Sequence, residues 1–171
     1  MKETNILFLA PNWRVSLIKA FQTAKAELNI EGRLVGADSD PNSPALRALD
    51  SVHTIPLFSE SGCLEQVTEI IRTQSIHAVL PLTNKAVEFL AANRERFEGE
   101  NVFLYIQENK VIETCHDKLK LAEYCDANNI AAPRTLSLDS PGDSPRFPLI
   151  AKPRRGEGSK NCFRINDRAD L

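Results

Sequence analysis

The sequence predicts an α/β protein built on a parallel sheet with helices over both faces, and two observations carry that prediction. Short apolar runs of strand length recur along the first 107 residues. Between them lie stretches whose apolar residues return every three or four positions, the period of a helix face. Strands that alternate with helices in this way form βαβ units, whose sheets are parallel and buried on both sides.

The elements follow in order. Residues 5–11, NILFLAP, suit a buried strand. WRVSLIKAFQTAKAEL follows as a helix, with Leu17, Phe21, Ala24 and Leu28 on its expected inner face. EGRLVGADSD is a second strand that ends in acidic residues, PNSPALRALD a turn with a short helix, and SVHTIPL the region of a third strand. CLEQVTEIIRTQ sets Leu64, Val67, Ile70 and Ile71 at helical spacing, and HAVLPL is a fourth strand. TNKAVEFLAANRERF places Val87, Leu90, Ala91 and Phe97 on one side, with Thr83 or Asn84 available as N-cap and Arg94–Arg96 in a solvated helix end. NVFLYIQ is the fifth strand. Right-handed crossovers make such a chain a doubly wound, Rossmann-like layer.

From about Asn109 the pattern changes. NKVIETCHDKLKLAEYCDANNI reads as a helical pair, with Asp117 as a carboxylate at a helix N-terminus. AAPRTLSL reads as a proline-led strand, and DSPGDSPRFP as an exposed turn or linker. FPLIAKP and CFRIN flank a loop, RRGEGSKN, and together read as a β-hairpin. Asp167 reads as the N-cap of a further helix.

Composition narrows the function classes. The formal net charge of −2 argues against a general nucleic-acid binder. No apolar run approaches the roughly 20 residues of a membrane span, and the N-terminus carries no secretory signal pattern. Cys63, Cys115, Cys125 and Cys162 lack C-x-x-C spacing, and with His53, His77 and His116 they show no zinc pattern. Reduced thiols in a cytoplasmic protein are the expectation. The turn after the first strand, Ala10 to Val15, contains no glycine, so backbone cannot approach a pyrophosphate there and nicotinamide binding is not expected. Asp38, which could mimic a ribose-binding acid, is expected instead to cap the turn DSDPNS through backbone hydrogen bonds. Trp13 and Arg14 lie where open α/β sheets bind ligands. Trp13 is expected to anchor on the surface and pack the first helix, with a substrate contact as the alternative.

The loop is the chemical feature of the sequence. Gly156 and Gly158 free its backbone to adopt positive φ and turn N–H groups toward a ligand, and Ser159 adds a hydroxyl donor. Lys152 sits where strand meets loop. Between Lys152 and Arg168 six basic residues face two acidic ones, a local +4 on a chain whose remainder carries −6. A cationic loop on an acidic protein fits a polyphosphate. The spacing is not that of a Walker P-loop. The alternative is a solvated, charged hairpin tip.

In context the chain resembles the ATP-grasp superfamily, in its carbamoyl-phosphate synthase large chain-like and biotin carboxylase-like branch. VGADSDPNSPALRALD and HAVLPLTNKAVEFLA look like the pre-ATP-grasp domain, HDKLKLAEYCDANNIAAPRT like the Asp-Lys helix and the strand after it, FPLIAKP like the lysine strand, and RRGEGSKN like the mobile glycine loop. The resemblance implies a pre-ATP-grasp domain over residues 1–114 and the start of an ATP-grasp domain over 115–171. It implies that Lys118 and Lys152 reach nucleotide phosphates, and that Gly156, Gly158 and Ser159 belong to the loop closing over them. It names no catalytic residue.

The implied parent reaction is ATP-dependent ligation of a carboxylate or bicarbonate to an amine or thiol through an acyl phosphate. ATP and Mg²⁺ are the implied cofactors of the complete protein, with the metal ligands outside this chain. Neither nucleic acid nor membrane is an implied partner, and a dimer is a compatible assembly. Two departures stand out: Asn161 where the loop usually ends in glycine, and Asn84-Lys85-Ala86 where many members carry an acid pair. The adenine hinge and metal residues of the family lie downstream of the loop, so the sequence ending at Leu171 is expected to be the N-terminal portion of a ligase, inactive and a weak ATP binder alone. The competing readings are a half-enzyme that pairs with a separate chain and a non-catalytic α/β binding module.

Overall fold

The computed structural model describes residues 3–138 and 146–170. The chain divides into two compact units, Met1–Gln107 and Glu108–Leu171, a boundary earlier than the 114/115 junction the resemblance implies.

In the first unit, β1 (Asn5–Leu9), β2 (Leu34–Asp38), β3 (Ser51–Thr54), β4 (Ile76–Pro81) and β5 (Phe103–Leu104) form one sheet in the order β3-β2-β1-β4-β5. Every pairing is parallel. All five runs read as strands from the sequence are strands here. The chain builds outward from β1 to β3, then crosses back over β1 to start β4, so the switch point falls between β1 and β4. The connections are α1 (Val15–Glu27), a 3₁₀ turn (Pro44–Ala48), α2 (Cys63–Thr73), and the pair α3 (Asn84–Ala92) and α4 (Arg94–Glu98).

Both sheet faces are covered, which is why Leu7, Phe8 and Leu9 of the central strand are buried and Ile6 partly so. One cluster joins Leu7, Leu9, Val35 and Val79 to Val67, Ile70 and Ile71 of α2 and to Phe89, Leu90 and Phe97 of α3 and α4. The other joins Phe8 and Leu34 to Ile18 of α1 and Ala45 of the 3₁₀ turn. Leu7, Phe8 and Leu9 are 0% exposed, and each such side chain stabilises the fold by about 1.5–3 kcal/mol. Thr83 caps α3, its hydroxyl accepting the Ala86 N–H at 3.2 Å.

Two expectations about the first helix give way. Leu17, Ala24 and Leu28 do not line its buried face; Leu28 is 68% exposed. The inward stripe is Val15, Ile18 and Phe21, fixed by an edge-to-face contact of Phe21 on Phe8 at 5.0 Å. Trp13 does not pack against the helix either, being 80% exposed.

The second unit contains α5 (Asn109–His116), α6 (Lys118–Ala127), and the antiparallel pair β6 (Leu149–Ala151) and β7 (Phe163–Ile165). The helical pair and the hairpin are as the sequence predicts. The stretch AAPRTLSL is not a strand: residues 131–136 are irregular and only Ser137 forms a bridge. Of the segment DSPGDSPRFP, residues 139–145 lie outside the described residues. Asp167 accepts the Ala169 N–H at 2.8 Å and begins a single 3₁₀ turn, Arg168–Asp170.

Candidate phosphate-binding loop

Two regions invite a ligand, and their local chemistry separates them. The first is the carboxyl edge of the parallel sheet. There Ala10 and Asn12 adopt left-handed backbone, with φ of 51° and 48°. The Asn12 N–H donates to the Asp38 carboxylate at 3.1 Å, while the Asn12 carbonyl accepts from Ser43 Oγ at 2.9 Å and the Ala45 N–H at 3.0 Å. The other Asp38 oxygen accepts the Asp40 N–H at 3.1 Å. Asp38, 3% exposed, is thus the buried staple of two turns, its own and the one after β1.

The second region is the loop 152–162 between β6 and β7. Its left-handed residues are Gly156 (φ 141°), Gly158 (66°), Ser159 (55°) and Asn161 (56°). Positive φ at these positions is backbone that glycine adopts without strain. Asn161 takes the conformation that the usual glycine would take, as its side chain allows.

The loop is tied to the start of α6. Asp117 caps that helix, accepting the N–H groups of Leu119 at 3.0 Å and Lys120 at 3.2 Å. Arg154 donates to the same carboxylate through Nε at 3.1 Å and Nη2 at 2.7 Å. The backbone joins in: Lys118 N–H donates to the Arg154 carbonyl at 3.0 Å. With the Leu121 N–H bonded to the Asp117 carbonyl, all four opening donors of α6 are satisfied. Asp117 is 4% exposed, and its carboxyl is lowered to about 2 by the Arg154 hydrogen bonds, opposed by burial and aided by the two cap donors.

Lys118 turns its ammonium to the loop, donating to the Gly156 carbonyl at 3.1 Å and the Arg154 carbonyl at 3.4 Å. Lys118 and Gly156, two of the residues singled out from the sequence, are therefore in contact. Lys152, Gly158 and Ser159 are exposed along the same loop. In the sequence Arg154 is one of several basic residues of the loop. Nothing in spacing links it to Asp117, 37 positions earlier, so pattern could not find the pair.

The remaining candidates have plain roles. The Cys63 thiol is buried and pushed up to about 11 by burial and by Glu60 and Glu65, which leaves it protonated near neutrality. Among the described residues no three His, Cys, Asp or Glu side chains group as a metal site, and no helix is long and apolar enough to cross a membrane.

Comparison with known proteins matches this layout. No curated protein sequence matches the chain. Among solved structures, an L-amino acid ligase from Bacillus licheniformis aligns over 99% of this chain and 41% of its own, with a TM-score of 0.70 at 19% identity. N5-carboxyaminoimidazole synthetase from Staphylococcus aureus, complexed with ADP, aligns over 99% and 43%, at 0.67 and 14%. The biotin carboxylase domain of 2-oxoglutarate carboxylase from Hydrogenobacter thermophilus, in complex with MgADP and bicarbonate, aligns over 99% and 39%, at 0.65 and 16%. This chain thus spans about two fifths of each of these proteins. The likeness shows the fold alone: the Rossmann-like parallel layer that the sequence predicts, followed by a helical pair and a hairpin. The model of the family described as PylC-like, N-terminal domain, matches residues 6–105, nearly the whole first unit. The chain belongs to this PylC-like N-terminal domain family.

Proposed function

We propose that the chain is the N-terminal part of an ATP-grasp ligase that joins a carboxylate or bicarbonate to an amine or thiol, and that its share is to hold the phosphates of ATP. The observation that carries this reading is the Lys118 ammonium 3.1 Å from the Gly156 carbonyl, within a loop of left-handed residues. The donors suit a polyphosphate: two lysines, the Ser159 hydroxyl, and backbone N–H groups that glycine leaves unshielded. Bound ATP and Mg²⁺ would supply phosphoryl activation of the carboxylate as an acyl phosphate, with the metal held by residues outside this chain. Lys118 and Lys152 would neutralise phosphate charge, and the loop would keep water from a product that hydrolyses readily.

The test is ATP turnover by the protein that contains residues 1–171, measured as ADP release across carboxylates, bicarbonate, amines and thiols. Lys118→Met and Lys152→Ala each remove a charged hydrogen-bond donor, worth about 1.5–3 kcal/mol, so each is expected to raise KM for ATP roughly 10- to 100-fold. Unchanged kcat and KM in both variants would overturn the assignment. Activity recovered only on adding a second polypeptide would favour the paired half-enzyme.

A further inference from the structure

The carboxyl edge of the parallel sheet carries side chains that the fold itself does not use. β1 and β4 are neighbours at the switch point, with Leu9 opposite Pro81 and the Leu82 N–H on the Leu9 carbonyl at 2.9 Å. Beyond that point the two turns part: α1 packs on one face of the sheet through Ile18, and α3 on the other through Phe89 and Leu90. The parting opens a crevice, the place where open α/β sheets take ligands. Its β1 side is rigid without glycine. Ala10 and Asn12 hold left-handed backbone, which is costly for residues with a side chain and persists because Asp38, Ser43 and Ala45 all hydrogen-bond to the Asn12 backbone. What this fixed turn presents to solvent is Trp13, 80% exposed, followed by Arg14, which is exposed and gives α1 no side-chain cap. On the β4 side Lys85 is exposed in the first turn of α3. Among the described residues neither Arg14 nor Lys85 has a side-chain partner. Asp38, the buried acid of this edge, already accepts a backbone amide on each oxygen.

We infer that this crevice recognises the carboxylate substrate, and that the substrate is an organic carboxylate with a planar, apolar body: Arg14 pairs the carboxylate, Trp13 stacks on the body, and Lys85 adds charge from the β4 side. The guanidinium fork matches a carboxylate two-pronged. An indole face left in water gains from a flat apolar group laid on it. Two cations without acidic partners draw a net anion in preference to a zwitterion or an amine. Bicarbonate has no body to lay on the indole, so the site selects against it. The word substrate rests on the ligase reading above, whereas binding in the crevice needs no ATP.

Trp13 is the only tryptophan of the chain, so its emission reports on the crevice directly. The 171-residue chain is titrated with phenylacetate, with acetate as the charge alone and benzyl alcohol as the ring alone. Phenylacetate is expected to move the emission to shorter wavelength along a saturable curve in the millimolar range, and neither control to do so. Arg14→Gln should raise the half-saturation concentration about tenfold, the loss of one charged hydrogen-bond partner, and Lys85→Gln should raise it severalfold. Both side chains are exposed, so far-UV circular dichroism should show both variants folded. Trp13→Ala, followed by saturation transfer to the phenylacetate ring protons, should lose the binding that Trp13→Phe retains. In ADP release by the protein that contains residues 1–171, Arg14→Gln should raise KM for the carboxylate and not for ATP, the reverse of Lys152→Ala. No saturable shift with phenylacetate, an equal shift with benzyl alcohol, or unchanged affinity in both charge variants overturns the site. A shift that follows protein concentration without ligand assigns Trp13 to contact with a second copy of the chain, and overturns it too. Phenylacetate binding with ADP release indifferent to Lys118 and Lys152 leaves this site standing while the phosphate reading falls.

Discussion

Asp117 shows how one side chain can serve helix, loop and electrostatics together. Its two oxygens take four donors: two cap amides of α6 and two prongs of Arg154. Because the folded carboxyl sits near 2 while its ordinary value is 3.8, the ionised form is favoured by folding. The stabilisation is full above the ordinary value and is lost as pH falls from about 4 toward about 2. Asn at this position keeps a capping oxygen but not the charge that Arg154 requires. Asp117→Asn should therefore lower the thermal midpoint at pH 7, and the gap between variant and wild type should close as pH approaches 2. Melting curves by circular dichroism across that range decide the point, and a gap independent of pH would assign the whole effect to the cap. The capping role was legible in the sequence, because an acid before a helix of Lys and Leu is a local signal. The ion pair was not, because it depends on where a hairpin 37 residues later returns.

Between residues and the whole lie the packed elements, and β2 meets the 3₁₀ turn after it unusually closely. A Cβ placed on Gly36 would collide with the Leu46 and Leu49 side chains, so the absence of a side chain is what lets the turn lie against the strand. Gly36→Ala overpacks this contact and should cost about 1–3 kcal/mol, read as a lower urea midpoint. Leu49→Ala in the same chain removes the atom first met and should recover part of the loss, since touching residues do not act additively. Equal loss in single and double variants would place the strain elsewhere. Short apolar runs and period-3.6 patterns identified all five strands and the helices between them, since a sheet buried on both faces and helices packed by one face impose those patterns directly. They did not fix which face of α1 turns inward. Its sequence offers two overlapping stripes that share Phe21, and the Phe8 ring chose between them. Local pattern also failed at AAPRTLSL, where strand-forming residues lack a continuous partner among the described residues.

For the molecule as a whole, the two units differ in what holds them together. Both hydrophobic clusters draw all their buried members from residues 7–104, inside the first unit. Among the described residues of the second unit, only Ile112 and Ile165 are buried apolar side chains. A two-stranded sheet and two short helices need more apolar burial than that to offset the entropy of ordering the chain. The first unit, of about the size at which single domains fold readily, has its sheet closed on both faces by its own helices. Residues 1–107 expressed alone should therefore melt in one cooperative transition, with coincident near- and far-UV circular dichroism curves. Residues 108–171 alone should show no such transition and little near-UV signal. Cooperative melting of that shorter piece would mean that the Asp117–Arg154 tie and the hairpin suffice as a fold. Its failure to fold would agree with a loop whose geometry is held by a few polar bonds, the condition under which a single ligand can rearrange it.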